Sequence, residues 1–200
     1  MCRFTEAVCL VRGVPQRIGY HQRRFDATRQ KFFPGCREVD LEEVLRKDPS
    51  AAESASRPGK HKCRIEYGND IAAITVTPYT PRKIGRLTLV YADDADYSYK
   101  YADRSKLREL EQRGAAADAV IIVRKGYVTD TSFSNIALLG RDGWVVPDTY
   151  LLPGTMRSFL LDEGRVRAVP VRAKDLIQYD TVSLINAMLD LGESSVPVSA

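Results

Sequence analysis

The chain has 200 residues, of which 44% are hydrophobic and 28% are charged, as is ordinary for a globular protein with a buried core. Its 30 basic and 26 acidic residues give a net charge of +4, which is too small and too dispersed to indicate a surface for nucleic acid. No apolar stretch approaches the length of a membrane span, so we expect no membrane partner.

The first half of the sequence predicts a small α+β lobe. Apolar and polar residues mix over Arg3–Arg12 as in a strand, and His21–Phe33 has apolar residues at helical spacing. Leu41–Leu45 predicts a short second helix, and the polar stretch Asp48–Lys62 predicts a loop. Alternation then predicts three antiparallel strands, at Cys63–Tyr67, Ile71–Val76 and Leu87–Tyr91.

The second half predicts a mixed α/β lobe. A helix around Asp103–Arg113 ends at Gly114, and the apolar stretch Ala119–Val123 has the composition of a buried strand. A hairpin, a helix over Thr155–Glu163 and a final strand at Thr181–Asn186 are expected to follow. We therefore predict an α/β (α+β) fold with two domains, at 1–94 and 95–200.

Three features could carry chemistry. Lys100 lies among Tyr97, Tyr99 and Tyr101, whose rings could partly desolvate its amine and lower its pKa. Asp130 stands in a run of hydroxyl residues, and Pro153-Gly154 precedes a helix. An amine, an acid and a helix start with exposed N–H groups are what a pyridoxal phosphate site needs. Taken singly, each is more simply a surface lysine, a turn residue or a helix entrance.

The order of these features resembles the class IV aminotransferase family, whose members are fold-type IV pyridoxal phosphate enzymes. Gly126–Asn135 is similar to the family motif Gly-x-Val-x-Glu-x-Ser-x-Ser-Asn, and Leu152–Arg157 is similar to Leu-x-Gly-x-Thr-Arg. Lys100–Arg104 resembles a lyase-like Lys-x-x-Asn-Arg, and His21–Arg24 matches His-x-x-Arg. The resemblance implies a small N-terminal α+β lobe and a larger, barrel-like C-terminal lobe.

The resemblance also implies roles for individual residues. Lys100 would hold the cofactor as a Schiff base and move protons at the substrate α-carbon. Arg24 would bind the phosphate through two parallel contacts, and the backbone N–H groups of Thr155 and Met156 would bind phosphate at the helix start. Asp130 would keep the pyridine nitrogen protonated. The remaining cofactor contacts implied are Ser134, Asn135, Gly154, Asn186 and Ala187. No metal site is expected.

Three positions depart from the family pattern. Asp130 replaces the usual glutamate, which draws the carboxylate back by one methylene. Met156 replaces a threonine, and Ala187 stands where serine or threonine often contacts the phosphate. We therefore expect a cofactor site with fewer polar contacts than the family norm.

The resemblance leaves the reaction open. Arg104, a candidate substrate ligand, favours 4-amino-4-deoxychorismate lyase, which releases pyruvate and leaves 4-aminobenzoate, a folate precursor. A class IV aminotransferase of the branched-chain or D-amino acid type is the alternative, and a non-catalytic cofactor-binding relative is a third possibility. The family resemblance implies a homodimer. Because the four cysteines have no paired spacing and no signal peptide is evident, we expect reduced thiols and a cytoplasmic location.

Overall fold

The computed structural model of the protein describes residues 3–198, so Cys2 lies outside the described residues. The chain divides into two compact units. The first unit runs up to Thr80 and includes Tyr99–Asp103, and the second contains Pro81–Ser98 and the chain from Arg104 onward. These bounds differ from the domains expected at 1–94 and 95–200, and that domain division stays a prediction.

The first unit is an antiparallel four-stranded sheet with three helices. The strands lie in the order β2-β1-β3-β4. In chain order the elements are β1 (Phe4–Val11), β2 (Val14–Pro15), α1 (Ile18–Phe32), α2 (Leu41–Lys47), α3 (Pro49–Glu53), β3 (Lys60–Tyr67) and β4 (Ile71–Pro78).

Strand β1 organises the core of this unit. Phe4, Val8 and Leu10 alternate along one of its faces and pack with Phe25 of α1. On the edge of β1 that faces away from β3, the backbone N–H of Thr5 donates to the Lys100 carbonyl oxygen at 2.9 Å. The segment Tyr99–Asp103 is thereby fixed to the start of β1.

The prediction of a loop at Asp48–Lys62 is wrong. The stretch contains α3 and a 3₁₀ turn at Ser54–Ser56, and β3 already begins at Lys60. The Asp48 side chain accepts a hydrogen bond from the backbone N–H of Ala51 at 3.0 Å, and a proline opens the helix. An aspartate cap followed by proline is a recognised helix start, and its signal was outweighed by the polar composition.

Within residues 3–198, the second unit has eight strands in two sheets, two α-helices and a 3₁₀ helix at Ala173–Gln178. One sheet has the order β5-β6-β7 and the other the order β10-β9-β8-β11-β12. The elements are β5 (Leu87–Tyr91), α4 (Ser105–Arg113), β6 (Ala119–Arg124), β7 (Tyr127–Thr131), β8 (Asn135–Gly140), β9 (Gly143–Pro147), α5 (Thr155–Asp162), β10 (Arg167–Val169), β11 (Thr181–Ile185) and β12 (Ser195–Pro197).

The sequence predicted that strand β5 is antiparallel to the strands before it, and this prediction is wrong. Strand β5 does not belong to the sheet of the first unit. It pairs in parallel with β6, with Leu87 opposite Ala119, and α4 connects the two strands. An apolar strand next to a crossover helix is typical of parallel pairing, whereas alternation alone does not identify a partner. The predicted mixed α/β fold class is nonetheless confirmed by two units of α+β and α/β character. Within residues 3–198, no helix combines the length and apolarity needed to cross a membrane.

Candidate functional site

In the first unit, a buried carboxylate joins two predicted motif residues. Glu6 lies in the inward-facing row of β1 and has no exposed surface. Its Oε2 lies 2.6 Å from Nδ1 of His21 and also accepts a hydrogen bond from Nη2 of Arg24 at 2.6 Å. Arg24 Nε donates to Glu6 Oε1 at 2.8 Å. His21 and Arg24 are neighbours on α1 because residues three apart share a helix face.

The charges of this cluster explain its protonation. Burial raises the pKa of Glu6, but the charge and hydrogen bonds of Arg24, together with His21, outweigh burial and lower that pKa to about 2. Burial lowers the pKa of His21; Glu6 opposes this shift, whereas the charges of Arg24 and Lys100 add to it. The charge of Lys100 therefore acts on His21, which contacts Glu6, the partner of Arg24.

The expected double contact of Arg24 is present, but with Glu6. The guanidinium uses its Nε and Nη2 edge on this carboxylate, in the parallel geometry that arginine also makes with phosphate. The cluster thus fixes the orientation of Arg24, and the phosphate-binding role of Arg24 stays a prediction. Lys100 is half-buried, and its own role likewise stays a prediction.

In the second unit, Asp130 lies on β7 and is 5% exposed, so it is not the turn residue that an aspartate taken singly would indicate. Its Oδ1 accepts a hydrogen bond from Nδ2 of Asn135 at 2.7 Å. Its Oδ2 accepts from the backbone N–H groups of Leu151 and Leu152, both at 2.9 Å. The carboxylate therefore connects β7 to the segment that leads into α5.

Asp130 is a buried acid whose charge is only partly compensated. Burial raises its pKa to about 6, against the opposing effects of three hydrogen bonds and the charge of Arg157. Above that pH the side chain is mainly a carboxylate. Among residues 3–198, Oδ1 accepts a hydrogen bond from Asn135, which leaves it the capacity for another donor, such as a protonated ring nitrogen.

The start of α5 is built around Asn135 and Gly154. Besides its bond to Asp130, Asn135 Nδ2 donates to the Leu152 carbonyl oxygen at 2.9 Å. A Cβ placed on Gly154 would lie only 1.9 Å from Asn135 Oδ1, so only glycine fits beside this amide. Asn135 and Gly154 were both predicted cofactor contacts, and the structure brings them together.

The N-terminus of α5 has the character of an anion site. Gly154 caps the helix without a side-chain hydrogen bond, and the first turn has no acidic residue. The first helical hydrogen bond of α5 runs from the backbone N–H of Ser158 to the Gly154 carbonyl oxygen. The amides of Thr155 and Met156 come before this bond in the chain, so they are not donors within the helix. The Met156 side chain is 1% exposed and packs in the core with Leu160. A threonine at this position would therefore face the core in this structure.

The other predicted contacts are used largely for local structure. Ser134 Oγ lies 2.8 Å from Thr131 Oγ1, closing the turn between β7 and β8. Asn186 Oδ1 accepts from the backbone N–H groups of Met188 and Leu189, and its Nδ2 donates to the Phe133 carbonyl oxygen at 3.3 Å. Ala187, which follows directly, is half-buried. Their roles toward a cofactor stay predictions.

Arg104 is attached to the same turn. Its Nη2 donates to the Ser132 carbonyl oxygen at 2.9 Å, and the Ser132 hydroxyl donates to Glu111 of α4. This contact gives Arg104 a structural partner within the second unit, and its role in substrate binding stays a prediction.

Sequence reasoning missed Glu6 and gave no role to Arg157. A signal for Glu6 was available, because an acid in the apolar row of a strand needs a buried cation. Arg157 is 8% exposed on α5, and it stood in the motif that was quoted for its neighbours. Within the described range 3–198, no group of three or more histidine, cysteine or acidic residues is arranged to bind a metal ion.

The residue types fit pyridoxal phosphate. A half-buried lysine and an oriented arginine belong to the first unit, and a buried acid and a helix N-terminus without an acidic residue in its first turn belong to the second. The start of α5 is the strongest sign of fit, because a helix N-terminus with no side-chain cap and no acid beside it favours an anion such as phosphate.

Comparison with known proteins agrees with this chemistry. Residues 98–194 match the family described as amino-transferase class IV. An uncharacterized protein of Haemophilus influenzae is 30% identical over 92% of this chain and 96% of its own length.

Two solved structures share the fold. A protein of Haemophilus somnus 129pt, named a "putative 4-amino-4-deoxychorismate lyase", is 32% identical, with a TM-score of 0.88 over 96% of this chain and 98% of its own. A hypothetical aminotransferase of Mycobacterium tuberculosis in a PLP-bound form is 19% identical, with a TM-score of 0.77 over 97% of this chain and 80% of its own. The fold is therefore that of the fold-type IV enzymes, and the chain belongs to the class IV aminotransferase family.

Proposed function

We propose that the protein is a pyridoxal-phosphate-dependent lyase that removes pyruvate from 4-amino-4-deoxychorismate and leaves 4-aminobenzoate. The observation that carries this proposal is the likeness to the Haemophilus somnus protein, which extends over nearly the full length of both chains. The product would serve as a folate precursor, and we propose a cytoplasmic location for this step.

Pyridoxal phosphate, when bound, supplies an electron-poor ring that stabilises negative charge on the substrate α-carbon. Lys100 would hold the cofactor and accept the proton that leaves the α-carbon. Arg24, oriented by Glu6, and the amides of Thr155 and Met156 are the proposed phosphate ligands. Within its own unit, each of these groups has surroundings that suit the role proposed for it.

Asp130 is proposed to hold a proton on the ring nitrogen. Burial strengthens such an interaction because the surroundings screen charge less than water does. A pKa of about 6 leaves the side chain mainly ionised at neutral pH. The three N–H donors that hold the carboxylate limit its movement. A shorter acid than the usual glutamate is thus held in one orientation.

A class IV aminotransferase is the second candidate. Arg104 was the residue that favoured the lyase, and its contact with the Ser132 carbonyl oxygen gives it a structural explanation. A non-catalytic cofactor-binding relative is the third candidate, motivated by Asp130, Met156 and Ala187.

Product analysis separates these candidates. The purified protein would be incubated with pyridoxal phosphate and 4-amino-4-deoxychorismate, and pyruvate and 4-aminobenzoate would be quantified. A second reaction would offer branched-chain and D-amino acids together with a keto acid. Equimolar pyruvate and aromatic amine supports the lyase, whereas amino transfer that requires the keto acid replaces it with the aminotransferase. Cofactor binding without either product supports the non-catalytic reading.

The attachment residue is tested by Lys100→Ala, with Lys106→Ala as the matched control on the exposed surface of α4. After borohydride reduction, mass spectrometry should find the cofactor on a peptide containing Lys100 in the wild type and in the control variant. Cofactor retained covalently by Lys100→Ala would contradict the assignment.

We also propose a homodimer, which the family resemblance supports. Light scattering should then give about twice the 22.4 kDa mass of one chain. A monomeric mass at micromolar concentration would refute it.

A further inference from the structure

The segment 147–152, which joins β9 to α5, is held between two charged side chains. At its end, Asp130 Oδ2 accepts the backbone N–H groups of Leu151 and Leu152. At its start, Arg157 Nη2 donates to the Pro147 carbonyl oxygen at 3.0 Å. The arginine thus fixes the same segment whose amides orient the acid.

Arg157 also contacts the middle of this segment. The central carbon of its guanidinium lies 4.5 Å from the centroid of the Tyr150 ring, in cation–π geometry. Thr149 Oγ1 donates to the Val128 carbonyl oxygen at 2.7 Å, which attaches the segment to β7 as well. Arg157 therefore contacts the segment at two points, at its start through Pro147 and at its middle through Tyr150.

An arginine is a costly choice for this position. The side chain is 8% exposed, and its Nε has no hydrogen-bond partner within residues 3–198. Burial lowers the pKa of Arg157, while the charges of Tyr150, Asp130 and Asp148 raise it. An apolar side chain of similar volume would often be at least as stable in such a place. A buried cation that is not needed for packing indicates an electrostatic or positioning role.

We propose that Arg157 is a positioning residue for Asp130: it holds the 147–152 segment so that two amides orient the carboxylate, and it adds a positive charge to the surroundings of that carboxylate. The role toward the cofactor rests on the proposed function, because it requires Asp130 to face the ring nitrogen. The geometric part of the proposal belongs to the protein without cofactor.

The balance of effects at Asp130 shows why a nearby cation matters. Burial alone raises the pKa of Asp130, and Arg157 is among the groups that oppose it. Without this cation the pKa of Asp130 moves upward from about 6, toward neutral pH. A protonated aspartic acid would no longer supply the negative charge that holds a proton on a pyridine nitrogen.

The charge part is tested on the protein without cofactor. Aspartate is labelled with ¹³C at the carboxyl carbon, and the Asp130 signal is assigned with Asp130→Asn. Arg157→Met should shift the titration midpoint of Asp130 upward, because the charge of Arg157 is one of the effects that lower the pKa of this carboxyl group. Arg157→Lys keeps the charge and should change the midpoint less.

Arg165→Met is the matched control, since it removes the same charge from an exposed position just beyond α5. It should leave the Asp130 midpoint unchanged. An Arg157→Met midpoint equal to that of the wild type would overturn the charge part of the proposal.

The positioning part is tested by amide hydrogen exchange at Leu151 and Leu152. Both Arg157→Met and Arg157→Lys should accelerate exchange at these two amides by about tenfold or more, because a lost hydrogen bond to a charged group weakens their protection by at least this factor. Unchanged exchange in both variants would overturn it. If Arg157→Met does not fold, Arg157→Lys decides the positioning part, and Arg157→Gln decides the charge part.

Cofactor binding is measured separately by titration with pyridoxal phosphate. Should the wild type not bind it, the proposed function fails, while titration and exchange still decide the role of Arg157. Should the wild type bind it and Arg157→Met leave the Asp130 titration and both amides unchanged, only the inference about Arg157 fails.

Discussion

Gly154→Ala gives the sharpest test of the site geometry, because two physical arguments predict opposite signs. Gly154 has φ −69° and ψ 146°, which any residue adopts without strain. On backbone entropy alone, alanine should stabilise the protein by about 0.4–1 kcal/mol. The structure predicts the reverse, since the new Cβ would lie 1.9 Å from Asn135 Oδ1.

The size of the effect follows from what holds Asn135. Its Nδ2 donates to Asp130 Oδ1 at 2.7 Å and to the Leu152 carbonyl oxygen at 2.9 Å. The amide cannot move away from the new Cβ without weakening both bonds, and each buried group left unpaired costs about 1–3 kcal/mol. After allowance for the entropy gain, we expect a net loss of about 2–4 kcal/mol in the free energy of unfolding.

Urea unfolding followed by tryptophan fluorescence provides the assay. Trp144 is the single tryptophan of the chain and lies on β9, so its signal reports the second unit directly. Gly85→Ala is the matched control, because its Cβ would make only an ordinary 3.6 Å contact with Asp118 in the same unit. In an Asn135→Ala background, Gly154→Ala should lose most of its cost. A Gly154→Ala protein as stable as the wild type, or equally destabilised in both backgrounds, would refute the reasoning.

Three further predictions concern single side chains. Met156→Thr should lower the free energy of unfolding by about 2–4 kcal/mol in urea, because it shortens a core side chain and buries a hydroxyl; an unchanged midpoint would mean that the side chain does not face the core. The folded-state pKa of Asp130 is about 6 against 3.8 for the free acid, so the folded protein holds an extra proton between these values. The stability of the wild type relative to Asp130→Asn should therefore fall by about 2 kcal/mol as pH rises from about 4 to 6. A flat difference in urea titrations across that range would contradict the shift. Glu6 has the opposite sign. Its pKa of about 2 lies below the free value of 4.5, so it contributes about 3 kcal/mol to the free energy of unfolding above pH 4.5, and this contribution is lost toward pH 2. Glu6→Gln should show no such loss in the same urea titrations.

Most elements could be predicted from hydrophobic period and turn residues, because these report which face of a segment is buried. Strand β5 was predicted with the bounds that the structure shows, yet its partner was wrong, since alternation shows burial without showing what covers the face. The motif likewise identified Asp130 but not its burial on a strand, because a run of threonine, serine and aspartate also has the composition of a loop or turn. Its burial on β7 depends on Asn135 and on two amides about twenty residues later.

Site chemistry was less accessible than the fold for a similar reason. Glu6 was overlooked because the pairing that makes its burial tolerable comes from α1, fifteen and eighteen residues away. Arg24 was recognised by its motif, whereas its partner had no motif. Local pattern thus points to the residue types that bind ligands, and tertiary contacts determine what holds them in place.

The return of Tyr99–Asp103 to the first unit has a consequence for how this unit can be dissected. The unit is discontinuous along the chain, so a fragment ending at residue 80 or 94 would leave the N–H of Thr5 without the Lys100 carbonyl. During synthesis, this edge of β1 likewise gains its partner only after residue 103 has left the ribosome. The proposed catalytic amine is therefore carried by the last part of the first unit to be synthesised.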